Sequence, residues 1–249
     1  MPRPVSIQLY SLRDLAGKEG LPKVLKLVAD IGYAGIEFAG YGGMKAAELK
    51  KVVDDLGLQI SGSHTAAFDA AKADEVIADA KALGLKAVGS GFGPKDFETE
   101  DQIKACADRV NKAIEKLGAA GLKVYYHNHW WEWDKPNKGD LLFKLCPRLY
   151  AQFDIYWVQT AGADPAQTIA KYAERTLLIH VKDGPCDKDK AMTAVGKGKV
   201  RTKEALQAAD KSKAEWYIVE LDRCDTDMVQ AVKDSYSFLT QNKLATGKK

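Results

Sequence analysis

The sequence predicts an α/β protein built as a single (β/α)8 TIM barrel. Three observations carry that prediction. A short β-branched or apolar run followed by an amphipathic helical stretch recurs eight times in 249 residues, the alternation that gives parallel strands joined by helical crossovers. Three of the helical stretches close on a glycine, Gly32, Gly57 and Gly84, just before the next apolar run, as a regularly wound chain does. Acids and imidazoles recur at the C-terminal ends of the runs, where a barrel collects its functional groups. An open doubly wound sheet is the competing architecture.

The first strand covers 5–10, and the first helix covers 21–31 with Leu25, Leu27, Val28 and Ile31 as its apolar stripe. A second strand at 35–38 leads through the turn of Gly40, Gly42 and Gly43 to a helix over 46–56. The third pair is 58–64 and 71–83. The fourth is 86–90 and 100–117, separated by a longer loop over 92–98. Strand five at 122–127 has a short helix at 141–145 behind it, and strand six at 150–155 is followed by a helix at 166–173. Strand seven spans 177–183, and a long loop through Gly196 and Gly198 leads from it to a helix at 202–209. Strand eight at 216–220 precedes the last helix at 228–239. No Pro/Ser linker or low-complexity tract interrupts the chain, so 1–249 reads as one domain, with only the tail 245–249 frayed.

Composition excludes several classes. Hydrophobic residues at 46% and charged residues at 29% supply an ordinary core and argue against disorder. A net charge of +3, with Lys and Arg interleaved among acids, is no nucleic-acid footprint. The lysine-rich segment 188–203 reads as a solvated loop, with a surface that greets an anionic substrate as the alternative. Cys106, Cys146, Cys186 and Cys224 form no paired motif, which points away from structural zinc or disulfides and toward a reducing, cytoplasmic compartment. No apolar window reaches the ~18 residues that a membrane span requires, and the chain enters a strand at once without a signal-peptide core.

The chemistry concentrates at the end of strand five. There His127, Asn128, His129 and Glu132 crowd a strand end beside Trp130, Trp131 and Trp133, where a loop would carry small polar residues. Other strand ends add Glu37, His64, Asp154, His180 with Lys182 and Asp183, and Glu220 with Asp222. Strands of a parallel barrel are buried on both faces, so charges at their ends need a reason. Carboxylates packed this closely repel and take up protons unless a cation holds them. A divalent metal is the simplest such cation, with Glu132, Asp154, His180 and Glu220 from strands five to eight as its ligands. Three carboxylates and one imidazole suit Mn²⁺ or Mg²⁺, with Zn²⁺ or Co²⁺ as further candidates.

A resemblance to a known family supports this reading. Val5-Ser6-Ile7-Gln8-Leu9-Tyr10-Ser11-Leu12-Arg13, Gly32-Tyr33-Ala34-Gly35-Ile36-Glu37, His127-Asn128-His129 with Glu132, Phe153-Asp154-Ile155-Tyr156-Trp157 and Ile179-His180-Val181-Lys182-Asp183 together resemble the sugar phosphate isomerase/epimerase family of xylose isomerase-like TIM barrels. The resemblance implies a metal-dependent enzyme acting on a sugar or keto-sugar, with the metal held at Glu132, Asp154, His180 and Glu220. Such a site abstracts a proton next to a carbonyl and stabilises the enediolate that forms. His129 is the first candidate base, Glu132 and Glu220 are ligands that double as bases, and Lys182 meets oxyanion charge. Glu37, His64, His127, Trp157 and Asp222 are candidate substrate contacts.

One departure bears on the reaction. Many keto-sugar epimerases of this family carry the first metal glutamate on the fifth strand itself, whereas here Glu132 lies beyond it. That pattern resembles the branch near inosose dehydratases and enzymes that eliminate from 3-oxo-glycosides. Isomerisation or epimerisation, with elimination as the alternative, is therefore expected of a small-molecule sugar substrate. A non-catalytic sugar-binding barrel is the third possibility, and a DNA-repair endonuclease lacks its histidines and basic groove. The tryptophans serve equally to stack on a sugar, to pack beneath a loop or to meet a second subunit, which leaves a homo-oligomer open.

Overall fold

The structure, a computed structural model, describes residues 2–134 and 138–248. Along the chain run β1 (Arg3–Gln8), α1 (Arg13–Glu19), α2 (Leu21–Ile31), β2 (Gly35–Ala39), α3 (Ala46–Asp55), β3 (Gln59–His64), α4 (Ala73–Leu83), β4 (Ala87–Ser90) and α5 (Glu100–Ala119). They are followed by β5 (Lys123–His127), α6 (Lys138–Leu145), β6 (Tyr150–Asp154), α7 (Ile155–Thr160), α8 (Pro165–Lys171), β7 (Thr176–Val181), α9 (Thr202–Asp210), β8 (Trp216–Val219), α10 (Met228–Gln241) and β9 (Ala245–Thr246). Strands β1 to β8 pair in parallel with their sequence neighbours, and β8 returns to β1, closing the barrel. The closed ring excludes the open doubly wound sheet.

Local sequence accounts for these elements. In α2 the residues Leu21, Val24, Leu25 and Val28 fall on one face and are buried, and Gly32 ends the helix at φ 110°. Thr99 caps α5 by accepting from the Gln102 amide while the Gln102 side chain accepts from the Thr99 amide. β7 is buried at every position, which explains its unbroken apolar run. A main core fills the space between strands and helices, and a smaller cluster of Tyr125, Leu177, Leu178 and Ile218 stands apart from it.

Three segments depart from expectation. A 3₁₀ turn at Leu9–Leu12 and helix α1 occupy the stretch before α2, where the first strand was expected to run to Tyr10. Strand six stops at Asp154 because that side chain caps α7, accepting from the Trp157 amide at 3.0 Å. The tail is tied down: Ala245 pairs with Arg3, and the Lys248 amide donates to the Gly32 carbonyl at 2.7 Å. Lys249, part of the expected frayed end, lies outside the described residues.

Candidate active site and metal centre

Parallel register sets the site. Gln8 pairs with Glu37, His127 with Gln152 and Asp154 with His180, so the strand ends bring their polar side chains to one level of the barrel. Glu37 forms the floor. It is fully buried, and each of its oxygens accepts two hydrogen bonds: Oε1 from Tyr125 (2.8 Å) and Gln152 (2.6 Å), Oε2 from Gln8 (2.7 Å) and His180 Nε2 (2.6 Å). Burial pushes its carboxyl up, but His64 and His180 outweigh that and hold it below its ordinary value. Gly62 makes room for this knot, because a Cβ there would lie 2.7 Å from Glu37 Oε1 and 2.8 Å from the Tyr125 hydroxyl. Glu37, a candidate substrate contact by sequence, has no exposed surface here, and its oxygens are engaged by protein groups.

Above the floor, one donor atom from each of His127, Asp154, His180 and Glu220 lies within 4.8 Å of the other three, and all four residues are buried. His180 Nδ1 is 2.8 Å from Glu220 Oε2. Lys182 stands beside them, its Nζ 3.1 Å from Asp154, 2.8 Å from Glu220 and 2.7 Å from Asp222. Burial opposes charge on His180 and Lys182, yet the carboxylates win: His180 rises to about 10, and Lys182 moves well above the usual lysine range. Burial lifts Asp154 to about 6 against the pull of Lys182. Burial also pushes Glu220 up, but Lys182 and His180 hold it far below the usual range.

Glu132 is outside this group. Its Oε1 accepts from the Tyr126 hydroxyl at 2.6 Å and its Oε2 from the His129 amide at 2.8 Å. It latches the turn after β5, and His127 occupies the place in the donor set expected for Glu132. Burial raises the Glu132 carboxyl to about 8.

The residues present fit a divalent cation. Three carboxylates, Asp154, Glu220 and Asp222, surround Lys182, and Glu37 lies against His180, so four acids share two cationic side chains. His127 Nδ1 and Asp154 Oδ2 are buried without hydrogen-bond partners, although the latter is within ion-pair distance of Lys182. Two imidazoles and two carboxylates form a mixed nitrogen and oxygen set that suits Mn²⁺, Co²⁺ or Zn²⁺ better than Mg²⁺. His180 would offer Nδ1 while Glu37 holds its Nε2, a carboxylate–histidine arrangement common behind metal ligands.

A cavity of 350 Å³ opens over the cluster. Tyr10, Ala39 and His64 line one side, Gly91 to Gly93, His127, His129 and Trp131 another, and Lys182, Glu220 and Asp222 the third. Trp131 stacks on His129 with centroids 4.4 Å apart. Burial, reinforced by Lys182, drives His129 down to about 3, so its ring is neutral and a weak proton acceptor. Trp157 does not line the cavity; it packs beside Lys182, whose Nζ is 5.7 Å from its ring. A larger hollow of 710 Å³ lies at the opposite end of the barrel around Lys123 and Tyr150, far from the buried ionisable groups. The site residues that sequence reasoning missed, Gln8, Tyr125, Tyr126 and Gln152, had one signal: polar or hydroxylated side chains inside apolar runs.

The profile of the xylose isomerase-like TIM barrel family matches residues 25–242. The chain belongs to that family. Among solved structures, a sugar phosphate isomerase/epimerase from Parabacteroides distasonis ATCC 8503 superposes with a TM-score of 0.80 at 23% identity, over 99% of this chain and 96% of the other. An L-ribulose 3-epimerase gives 0.73 at 18% identity, over 97% and 94%. A probable 3-DHS dehydratase from Bacillus anthracis gives 0.75 at 15% identity, over 95% and 98%. At these identities the likeness establishes the xylose isomerase-like fold. None of the curated proteins matches the chain by sequence.

Proposed function

We propose that this xylose isomerase-like barrel is a divalent-metal-dependent sugar isomerase or epimerase that removes a proton next to a carbonyl. The observation that carries the reading is the convergence of His127, Asp154, His180 and Glu220 beneath the cavity. When bound there, a divalent ion polarises a carbonyl and its neighbouring hydroxyl and makes the adjacent C–H more acidic. The remaining chemistry belongs to side chains. Asp222 lines the cavity, stands outside the donor group and rests its Oδ1 on Lys182, so its carboxylate is the group placed to take the proton. Lys182 offers its charge to an oxygen that becomes negative. His64 and His129 face substrate hydroxyls, and Trp131 gives a flat apolar wall that limits water. Lys182 already meets three carboxylates, which favours an uncharged sugar at this point over a phosphoryl group.

Elimination is a second reading, and the position of Glu132 favours it. With Glu132 turned toward Tyr126, the carboxylates lining the cavity come from the β8 end, and the wall after β5 presents imidazoles. An epimerase working with a carboxylate on each face of its substrate would lack one of them. The probable 3-DHS dehydratase among the structural neighbours has the same fold, which is compatible with this reading.

The deciding experiment incubates Mn²⁺-loaded protein with ketoses, inososes and 3-oxo-glycosides in D₂O and follows the substrates by NMR. Deuterium incorporation without release of a fragment identifies an isomerase or epimerase, and release identifies a lyase. No exchange with any of them overturns both readings. Asp222→Asn is expected to slow exchange by about 10²–10⁴-fold while Mn²⁺ affinity stays within a few-fold.

A further inference from the structure

The amides around Glu37 have a direction, and it decides where two histidines carry their protons. Gln8 gives its Oε1 to the Tyr10 amide (3.2 Å), so its NH₂ faces Glu37. Gln152 likewise gives its NH₂ to Glu37 (2.6 Å), which leaves its Oε1 facing His64 Nε2 at 2.6 Å. A carbonyl oxygen only accepts, so His64 must donate from Nε2. The same logic applies directly at His180, whose Nε2 meets the Glu37 carboxylate at 2.6 Å. In the neutral ring of His64 the other nitrogen, Nδ1, is then the lone pair, whereas His180 Nδ1 faces Glu220 Oε2 at 2.8 Å and carries a second proton that a cation would displace.

We propose that Glu37 is a positioning residue for two histidines at once: directly for His180 and through Gln152 for His64, it fixes a ring proton on Nε2, which leaves Nδ1 as the acceptor in His64 and, in His180, as the nitrogen that a cation can take in place of its Glu220-facing proton. For His180 that atom belongs to the cation-binding group. For His64, whose side chain is 24% exposed and lines the cavity, it is the atom offered to a substrate hydroxyl or proton. The functional half of this inference rests on the proposed metal centre; the proton positions do not.

Because the chain has only four histidines, long-range ¹H–¹⁵N correlation spectra of metal-free, ¹⁵N-labelled protein resolve the tautomer of each. At a pH where His64 is neutral, it is expected to be the Nε2–H form. Glu37→Gln puts an amide where a carboxylate accepted on both sides. Glutamine accepts on one side and donates on the other, so one of the two histidines must give up its Nε2 proton. His64 switches to Nδ1–H if the new NH₂ faces Gln152, and His180 loses its Nε2 proton if it faces Gln8. His64 as Nδ1–H in the native protein, or both rings keeping Nε2–H in folded Glu37→Gln, overturns the inference.

Gln152→Leu tests the relay with Glu37 intact, should the first variant fail to fold. The His64 Nε2 proton, which loses its Gln152 acceptor, is expected to exchange faster than in the native protein, while the His180 ring is unchanged. An unaltered His64 overturns the relay. A side effect to measure is Mn²⁺ affinity, expected to fall about 10–100-fold in Glu37→Gln. If the native protein binds no Mn²⁺, the metal centre falls, and the tautomer result still decides the role of Glu37.

Discussion

A carboxyl group surrounded by apolar side chains is easier to keep neutral than charged, and Glu132 is such a group. It is 1% exposed, and burial outweighs the hydrogen bonds from Tyr126 and the His129 amide, leaving its pKa at about 8 against an ordinary 4.5. The folded state therefore holds a proton that the unfolded state releases between these values. Its stabilising contribution is fully present below about pH 4.5 and is lost as pH rises through about 8. Glu132→Gln removes this titration, so the stability of the wild type relative to the variant should fall by up to about 1.4 kcal/mol per pH unit across the window. Urea midpoints at pH 5, 6.5 and 8 check it, and parallel curves would show that Glu132 does not titrate there. The residue also marks a limit of sequence reading. Two histidines and a glutamate at and just beyond the end of β5 were legible as a site, but which of them turns inward depends on the Tyr126 hydroxyl, which sits on β5 and captures Glu132.

At the scale of elements, the long loop between β7 and α9 is organised by one side chain. Asp183, just past β7, accepts from the amides of Gly184 (2.8 Å) and Val200 (3.1 Å) through Oδ1, and from those of Gly196 (2.9 Å) and Gly198 (3.1 Å) through Oδ2. Gly198 permits this approach, since a Cβ there would sit against Asp183 Oδ1. Asp183→Ala leaves those four amides, the Gly184 one buried and the others partly so, without their common acceptor, and is expected to cost roughly 2–4 kcal/mol. Limited proteolysis should then cut within 184–200, and a cleavage pattern like that of the wild type would refute the role. Eight strands and the helices that follow them were legible because each strand is buried on both faces and most helices keep one apolar stripe. Short pieces were less so. Helix α1 has no buried residue and therefore no stripe to read, and α7 exists because Asp154 supplies its cap, a tertiary role already claimed in the sequence by the expected ligand.

Over the whole molecule, closure of the barrel is what turns scattered residues into a centre. His127, Asp154, His180 and Glu220 span nearly a hundred positions, and only the parallel register of β5 to β8 brings their donor atoms within 4.8 Å. Sequence could place each at a strand end; it could not say which side chains the floor of Glu37, Gln8 and Gln152 would leave free. Because a cation held there links four adjacent strands and has no such site in the unfolded chain, binding must stabilise the entire barrel. At a hundredfold excess over Kd the gain is about 2.7 kcal/mol, which for a chain of this length raises Tm by roughly 5–10 °C. Thermal unfolding of EDTA-treated protein with and without Mn²⁺ measures it. His127→Ala should lose most of the shift, whereas Glu132→Gln, whose side chain faces Tyr126, should keep it. The opposite pattern would return Glu132 to the ligand set and remove His127 from it, and with that the geometric basis for an imidazole-rich centre.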